Sequence, residues 1–297
     1  MTTHTVANTM ARRRQWLALC AGSALLALTP RSILARRSVT GDTMLTLATT
    51  TSVEHSGLLA HLLPKFSAAS GFGVRVIAVG SGQALDIGRR GDADVVWTHD
   101  PEGEAAFVAA GYGRERIEVM TGELLLVGPA DDPARAAGAD VVAAFRAIHD
   151  RRAPFVSRGD RSGTHTAERK LWQAAGLVPD PRRPAWAGWY RETGSGMGPA
   201  LNTAAAMNAY VLTDRATWLA FRNPQRLVPL VQGDSRLAMP YAVIALDRRR
   251  HPHVRDEAAH RFIEWLRGAE GQQAIAAFRL DGRSPFQPVS RGNSERR

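Results

Sequence analysis

The chain has 297 residues, 44% apolar and 22% charged, with a formal charge of +10. That is an ordinary globular composition, enough for one large domain or two smaller ones. The positive charge raises nucleic acid or an anionic membrane as partners. The arginines are scattered, however, with only short clusters such as Arg248-Arg249-Arg250, and no long basic run is interleaved with aromatics. Nucleic-acid binding is therefore not expected.

The first 35 residues read as an export signal. Arg12-Arg13-Arg14 precedes an apolar run from Trp16 to Leu28, too short to span a bilayer, and Ile33-Leu34-Ala35 offers a small-residue cleavage site. Arg13-Arg14-Gln15-Trp16-Leu17 loosely resembles the twin-arginine pattern, so the Sec and twin-arginine routes both stay open. The single cysteine, Cys20, follows Leu19 inside the run, which disfavours a lipoprotein anchor. The mature chain would hold no cysteine, hence no disulfide and no thiol chemistry.

From Met44 onward, short apolar runs alternate with amphipathic segments. Strands are expected at Leu45 to Ala48, Val74 to Val79 and Ala93 to Trp97. Helices are expected at Gly57 to Ala68, Gln83 to Arg89 and Glu102 to Ala110. This order predicts a parallel sheet covered by helices. A second set follows, with strands at Leu124 to Val127, Phe155-Val156, Tyr210 to Leu212 and Tyr241 to Leu246. Its helices are expected at Val141 to Ile148, Thr164 to Ala175, Gly198 to Asn208 and Asp214 to Phe221. Glu257 to Phe278 makes one or two more, with a break at Gly268. The tail after Pro288 reads as disordered.

Ligands of such sheets sit beyond the carboxyl ends of strands. Three loops at those positions carry hydroxyls, glycine or arginine: Thr49-Thr50-Thr51-Ser52, Gly80-Ser81-Gly82, and Ser157-Arg158-Gly159-Asp160-Arg161-Ser162-Gly163-Thr164. Hydroxyls, main-chain N–H groups at helix starts and a guanidinium are all donors. The set suits a fully deprotonated oxyanion, although Ser and Thr also serve as plain helix N-caps. Asp160 is expected to brace Arg158 or the loop, because a carboxylate facing the anion would repel it.

Leu47-Ala48-Thr49-Thr50-Thr51-Ser52, Val79-Gly80-Ser81-Gly82-Gln83-Ala84-Leu85, Gly91-Asp92-Ala93-Asp94-Val95-Val96, Phe155 to Thr164 and Gly194-Ser195-Gly196-Met197-Gly198 resemble the periplasmic tungstate-binding proteins of ABC importers. So do Glu264-Trp265-Leu266 and Glu270-Gly271-Gln272, and the resemblance runs in order from about Met44 to Pro288. It implies an α/β periplasmic-binding-protein fold (type II-like), two domains joined by crossing strands around a ligand cleft. The expected division is 44–121 plus 240–288 for domain 1 and 122–239 for domain 2, with 1–35 as signal and 289–297 as tail.

The resemblance further implies a periplasmic monomer, without a cofactor and without catalysis, that hands tungstate or molybdate to a membrane permease and its ATPase. Arg158 and Thr164 would be principal contacts. Thr50, Thr51, Ser52, Ser81, Gly82, Ser162 and Gly163 would complete the set. Ser81 stands where the family is expected to carry threonine.

Two rivals remain. A phosphate-binding protein of the same fold would need an acceptor for the phosphate proton, and Asp160 facing the ligand would favour it. A periplasmic hydrolase lacks support: there is no Gly-x-Ser-x-Gly elbow, no dinucleotide or phosphate-loop spacing, and no metal spacing around His251, His253 and His260. His165 reads as a helix-start residue.

Overall fold

Parallel strands open the fold because their side chains are apolar on both faces. In the computed structural model, which describes residues 43–289, β1 (Met44–Thr50), β2 (Gly73–Val79) and β3 (Val95–Thr98) pair in the order β2-β1-β3. Leu45, Leu47, Val95 and Trp97 are fully buried, as a sheet covered on both sides requires. The expected signal segment and the tail beyond Val289 lie outside the described residues.

Helices α1 (Thr51–His55) and α2 (Leu58–Ser70) link β1 to β2, α3 (Ser81–Arg90) links β2 to β3, and α4 (Pro101–Ala109) follows β3. The buried stripe of α2 is Leu58, Leu59, Leu62 and Phe66, at the helical spacing the sequence shows. Helix α1 falls where the sequence predicts a loop. Five residues are too few for a periodic signal, and Gly57, at φ 79°, separates α1 from α2.

Strand β4 (Ile117–Pro129) starts well before the expected Leu124. Glu118, Thr121 and Gly122 break the apolar run there, and pairing with β9 (Ala238–Ala245) supplies what local propensity does not. Beyond β4 come α5 (Val141–Asp150), β5 (Phe155–Ser157), α6 (Gly163–Ala174), β6 (Tyr190–Glu192), α7 (Met197–Met207), β7 (Tyr210–Asp214), α8 (Arg215–Ala220) and β8 (Leu227–Val231). Strands β6, β5 and β7 are parallel neighbours. The sequence reading missed β6 because it is short, and β8 because Pro229 argues against a strand.

Helices α9 (Asp256–Arg267) and α10 (Ala269–Ala277) break at Gly268, as expected, and β10 (Gln287–Pro288) adds a short pair to β4.

The strand order is β2-β1-β3-β9-β4-β7-β5-β6. The centre, β9 and β4, is antiparallel, which corrects the expectation of an all-parallel first half. Strand β4 serves both halves: Ile117–Glu123 pairs with β9, and Leu124–Val127 pairs with β7. The chain thus leaves the first half through β4 and returns through β9. Among the described residues no helix is long and apolar enough to cross a membrane.

Candidate functional site

Five strand-to-helix junctions converge on one small cavity: β1 to α1, β2 to α3, β3 to α4, β5 to α6, and β7 to α8. Its volume is about 30 Å³, room for a small inorganic ion. Cavities for organic ligands of drug size run to roughly 300 Å³ and above. Of the residues singled out from sequence, Thr50, Thr51, Ser52, Ser81, Arg158, Ser162, Gly163 and Thr164 line it. Gly82 does not; it lies one residue inside α3, with its neighbour Ser81 turned to the cavity wall.

The donors are locally prepared. Gly80 precedes α3 in extended conformation, so the start of that helix faces the cavity with Ser81 first. The Ser81 hydroxyl is buried and has no hydrogen-bond partner among the described residues. Leaving such a group unpaired costs on the order of 1–3 kcal/mol, and a ligand oxygen would recover it. The Thr50 and Ser52 hydroxyls are hydrogen-bonded 3.0 Å apart, and either can be the donor. Thr49 turns away, donating to the Trp97 carbonyl at 2.9 Å, and ties β1 to β3.

The arginine loop is held by its own side chains. Arg158 donates through Nε and Nη2 to Asp160 Oδ2, at 3.1 and 2.5 Å. Asp160 Oδ1 accepts from the Ser162 main-chain N–H at 3.1 Å, and Ser162 caps α6 by accepting from His165 N–H at 3.3 Å. Asp160 is not part of the lining. It braces Arg158 and the loop, the arrangement expected from charge repulsion. Burial raises the Asp160 carboxyl, but the Ser162 hydroxyl, the Arg158 charge and the Ser162 N–H outweigh it and hold it below the usual range.

His165 Nδ1 accepts from Arg161 N–H at 3.0 Å, so this histidine shapes the loop from outside the lining. Gly159 sits at φ 61°, and a Cβ there would meet Glu192 Cβ at 2.7 Å. Thr193 and Ser195, in and beside the glycine-rich segment, pin the strand end: their Oγ1 and N–H donate to the Arg158 carbonyl, both at 3.2 Å.

Beneath this loop, one turn below Thr164, the Glu168 carboxylate is buried. It accepts from Tyr190 Oη at 2.9 Å and Trp172 Nε1 at 3.2 Å. Burial pushes it up to about 7, against the pull of the Ser157, Tyr190 and Trp172 donors.

Besides the apolar Met239, two ionisable lining residues escaped the sequence reading: His99 and Asp214. His99 stands between β3 and α4. That junction is clamped by buried Glu104, which accepts from the Thr98 hydroxyl at 2.7 Å, Asp100 N–H at 2.8 Å and Arg116 Nε at 2.7 Å. The imidazole packs against Tyr241, ring centroids 4.9 Å apart, and a Cβ on Gly163 would come within 2.5 Å of its Cε1. Asp214 ends β7 and caps α8, accepting from Thr217 N–H at 2.8 Å. The signal for both was an apolar strand followed by a helix start, as in Trp97-Thr98-His99-Asp100-Pro101. It passed unnoticed because neither junction carries glycine or paired hydroxyls.

Burial holds the His99 ring below its usual value, while Asp214, Asp100 and a hydrogen bond to its own main chain pull it up and Arg158 lowers it further. Among the described residues no group of three His, Cys, Asp or Glu side chains is arranged to hold a metal ion.

Strand ends from two half-sheets that meet on a cavity rich in donors define a solute-binding protein of the periplasmic-binding type. A model of the PBP superfamily domain matches residues 36–270. The tungstate-binding protein TupA of Peptoclostridium acidaminophilum is 40% identical over 235 residues, covering 78% of this chain and 80% of that protein. Tungstate-binding protein TupA from Desulfovibrio alaskensis G20 superposes with a TM-score of 0.75 at 38% identity, covering 83% of this chain and 99% of that one. The tungstate ABC transporter structure from Geobacter sulfurreducens gives 0.71 at 42% identity, covering 79% and 98%. The chain belongs to the PBP superfamily, in the family of the TupA tungstate-binding proteins.

Proposed function

We propose that this protein is the substrate-binding component of an ABC importer, capturing tungstate or molybdate in the cavity and delivering it to a membrane permease and its ATPase. The observation that carries this reading is the donor set: the orphaned Ser81 hydroxyl, the Thr50-Thr51-Ser52 turn, the α6 start at Ser162-Gly163-Thr164, and Arg158, held together in an ion-sized space. A deprotonated tetrahedral anion offers only lone pairs, and this set meets them with N–H and O–H groups. Arg158 and Thr164 are assigned as principal contacts, with Thr50, Thr51, Ser52, Ser81, Ser162 and Gly163 around them. Gly82, outside the lining, is not assigned to the contact set.

Residues 44–121 plus 240–288 and residues 122–239 are assigned to two domains, with β4 and β9 as the crossing strands. One domain would bind the anion first, and closure would complete its coordination by population shift. No chemical step is required of any residue, so the role is binding without catalysis. A periplasmic location and a monomeric state follow from this role, with residues 1–35 directing export.

Hydrogen phosphate is the second reading. Asp160, on which that question turned in the sequence, is engaged with Arg158, but Asp214 brings a carboxylate to the lining that could accept a phosphate proton. A thermal-shift panel with tungstate, molybdate, sulfate and phosphate decides. A ligand present at a hundredfold its Kd stabilises the folded form by about 2.7 kcal/mol. Large shifts are expected with tungstate and molybdate. A large shift with phosphate or sulfate alone would overturn the assignment.

A further inference from the structure

The cavity is short of positive charge for the ion assigned to it. Arg158 is shared with Asp160 at 2.5 Å, and Asp214 adds a carboxylate to the wall. A dianion entering there meets a guanidinium already paired with Asp160, and a carboxylate whose hydrogen bond goes to the Thr217 N–H at the start of α8. The lining holds one titratable base, His99. Its ring is fixed between Tyr241 and the main chain of Gly163, the residue that opens α6. The charged groups around it come from three segments: Asp214 at the end of β7, Asp100 beside it at the start of α4, and Arg158 from the β5 to α6 loop. Tyr241, on β9, contributes a ring and no charge.

We infer that His99 is a ligand-binding residue that takes up one proton as the anion enters, so that an imidazolium stands between Asp214 and the anion. This rests on the tungstate reading above, because tungstate brings no proton of its own. The proton comes from solvent, and the ring nitrogen that receives it becomes a donor. In the empty cavity burial favours the neutral ring; two added negative charges at contact reverse that preference. A fixed cation would attract any anion at all times. A histidine charges only when a strong counter-ion is present, which favours dianions over monoanions.

The sign follows from linkage. His99 binds more protons in the complex than in the free protein, so affinity is highest at low pH. It is lost as pH rises through the value His99 has in the complex, by up to about tenfold per pH unit in that window.

The test is calorimetric titration of the mature protein with sodium tungstate between pH 7 and 9, in buffers of different ionisation enthalpy. The wild type should take up roughly one proton per anion at the lower end of this range, and its Kd should rise with pH. His99→Gln should bind more weakly, take up no proton and show a flat Kd. His99→Asn guards against a local packing defect in the first variant, and the wild-type proton count depends on neither. Glu168→Gln separates the buried carboxylate of α6 and should leave the uptake in place. Tungstate binding with no proton uptake and a pH-independent Kd would overturn the inference, while leaving the functional reading intact. Uptake that persists in His99→Gln and vanishes in Glu168→Gln would also overturn it. No tungstate binding at any pH would remove the functional reading itself.

Discussion

Arg158 shows what a single residue does here and how it is kept ready. Its side chain is 14% exposed and its guanidinium is oriented by Asp160, so little rotamer entropy remains to be lost on binding. Two charge-assisted hydrogen bonds to an anion are worth on the order of 3–5 kcal/mol. Arg158→Ala should therefore weaken tungstate binding by roughly 10²- to 4 × 10³-fold. Arg158→Lys keeps the charge but loses the planar fork, and should fall between that variant and the wild type. Calorimetric titration measures both, and an unchanged Kd in the alanine variant would remove Arg158 from the site. Arg158 and Thr164 were legible in sequence because they lie in one contiguous loop with glycine and serine. His99 and Asp214 were not, because each stands alone in its own junction and acquires meaning only beside residues far away in the chain.

The elements explain why the donors meet. Each contributing strand ends at the same edge of its half-sheet, and each following helix starts there, so main-chain N–H groups gather without further design. Outside the cavity lining, α6 and α4 are tied by Lys170 Nζ, which lies 2.6 Å from Glu102 Oε1. These helices follow β3 and β5, strands of opposite half-sheets, so the ion pair joins the two sides. Both side chains are exposed, 54% and 76%, which limits the pair to about 0.2–1 kcal/mol and makes it salt-sensitive. Lys170→Ala or Glu102→Ala should speed tungstate release by roughly 1.5- to 5-fold at low ionic strength, with little effect at high salt. The exchange Glu102→Lys with Lys170→Glu should restore the slower rate. Stopped-flow release followed by intrinsic tryptophan fluorescence would check this, and equal release rates in all four proteins would deny the pair any role in closure.

At the scale of the whole molecule, the β4 and β9 pair is the frame on which both halves hang. Its register shifts between Glu118 and Met120 against β9, and between Leu126 and Val127 against β8. On the two-domain reading proposed above, a cavity of only about 30 Å³ is the closed form of a clamp. Free protein in solution should be more open, and small-angle X-ray scattering should show the radius of gyration falling when tungstate is added. A radius that does not change would argue for a preformed site instead of a hinge.

The sequence by itself determined the alternation of strands and helices, the oxyanion-friendly loops and the family. These are written in contiguous residues: apolar runs, helical spacing, glycine and hydroxyl punctuation. Only the tertiary structure decided which loops face one another, that Asp160 turns to Arg158, and that His99 and Asp214 join the cavity. Those facts depend on pairings such as Thr98 with Ala242 and Leu124 with Asp214, between residues dozens of positions apart. Local signals carry no record of such pairings, because the energy that selects them is the burial of the whole sheet.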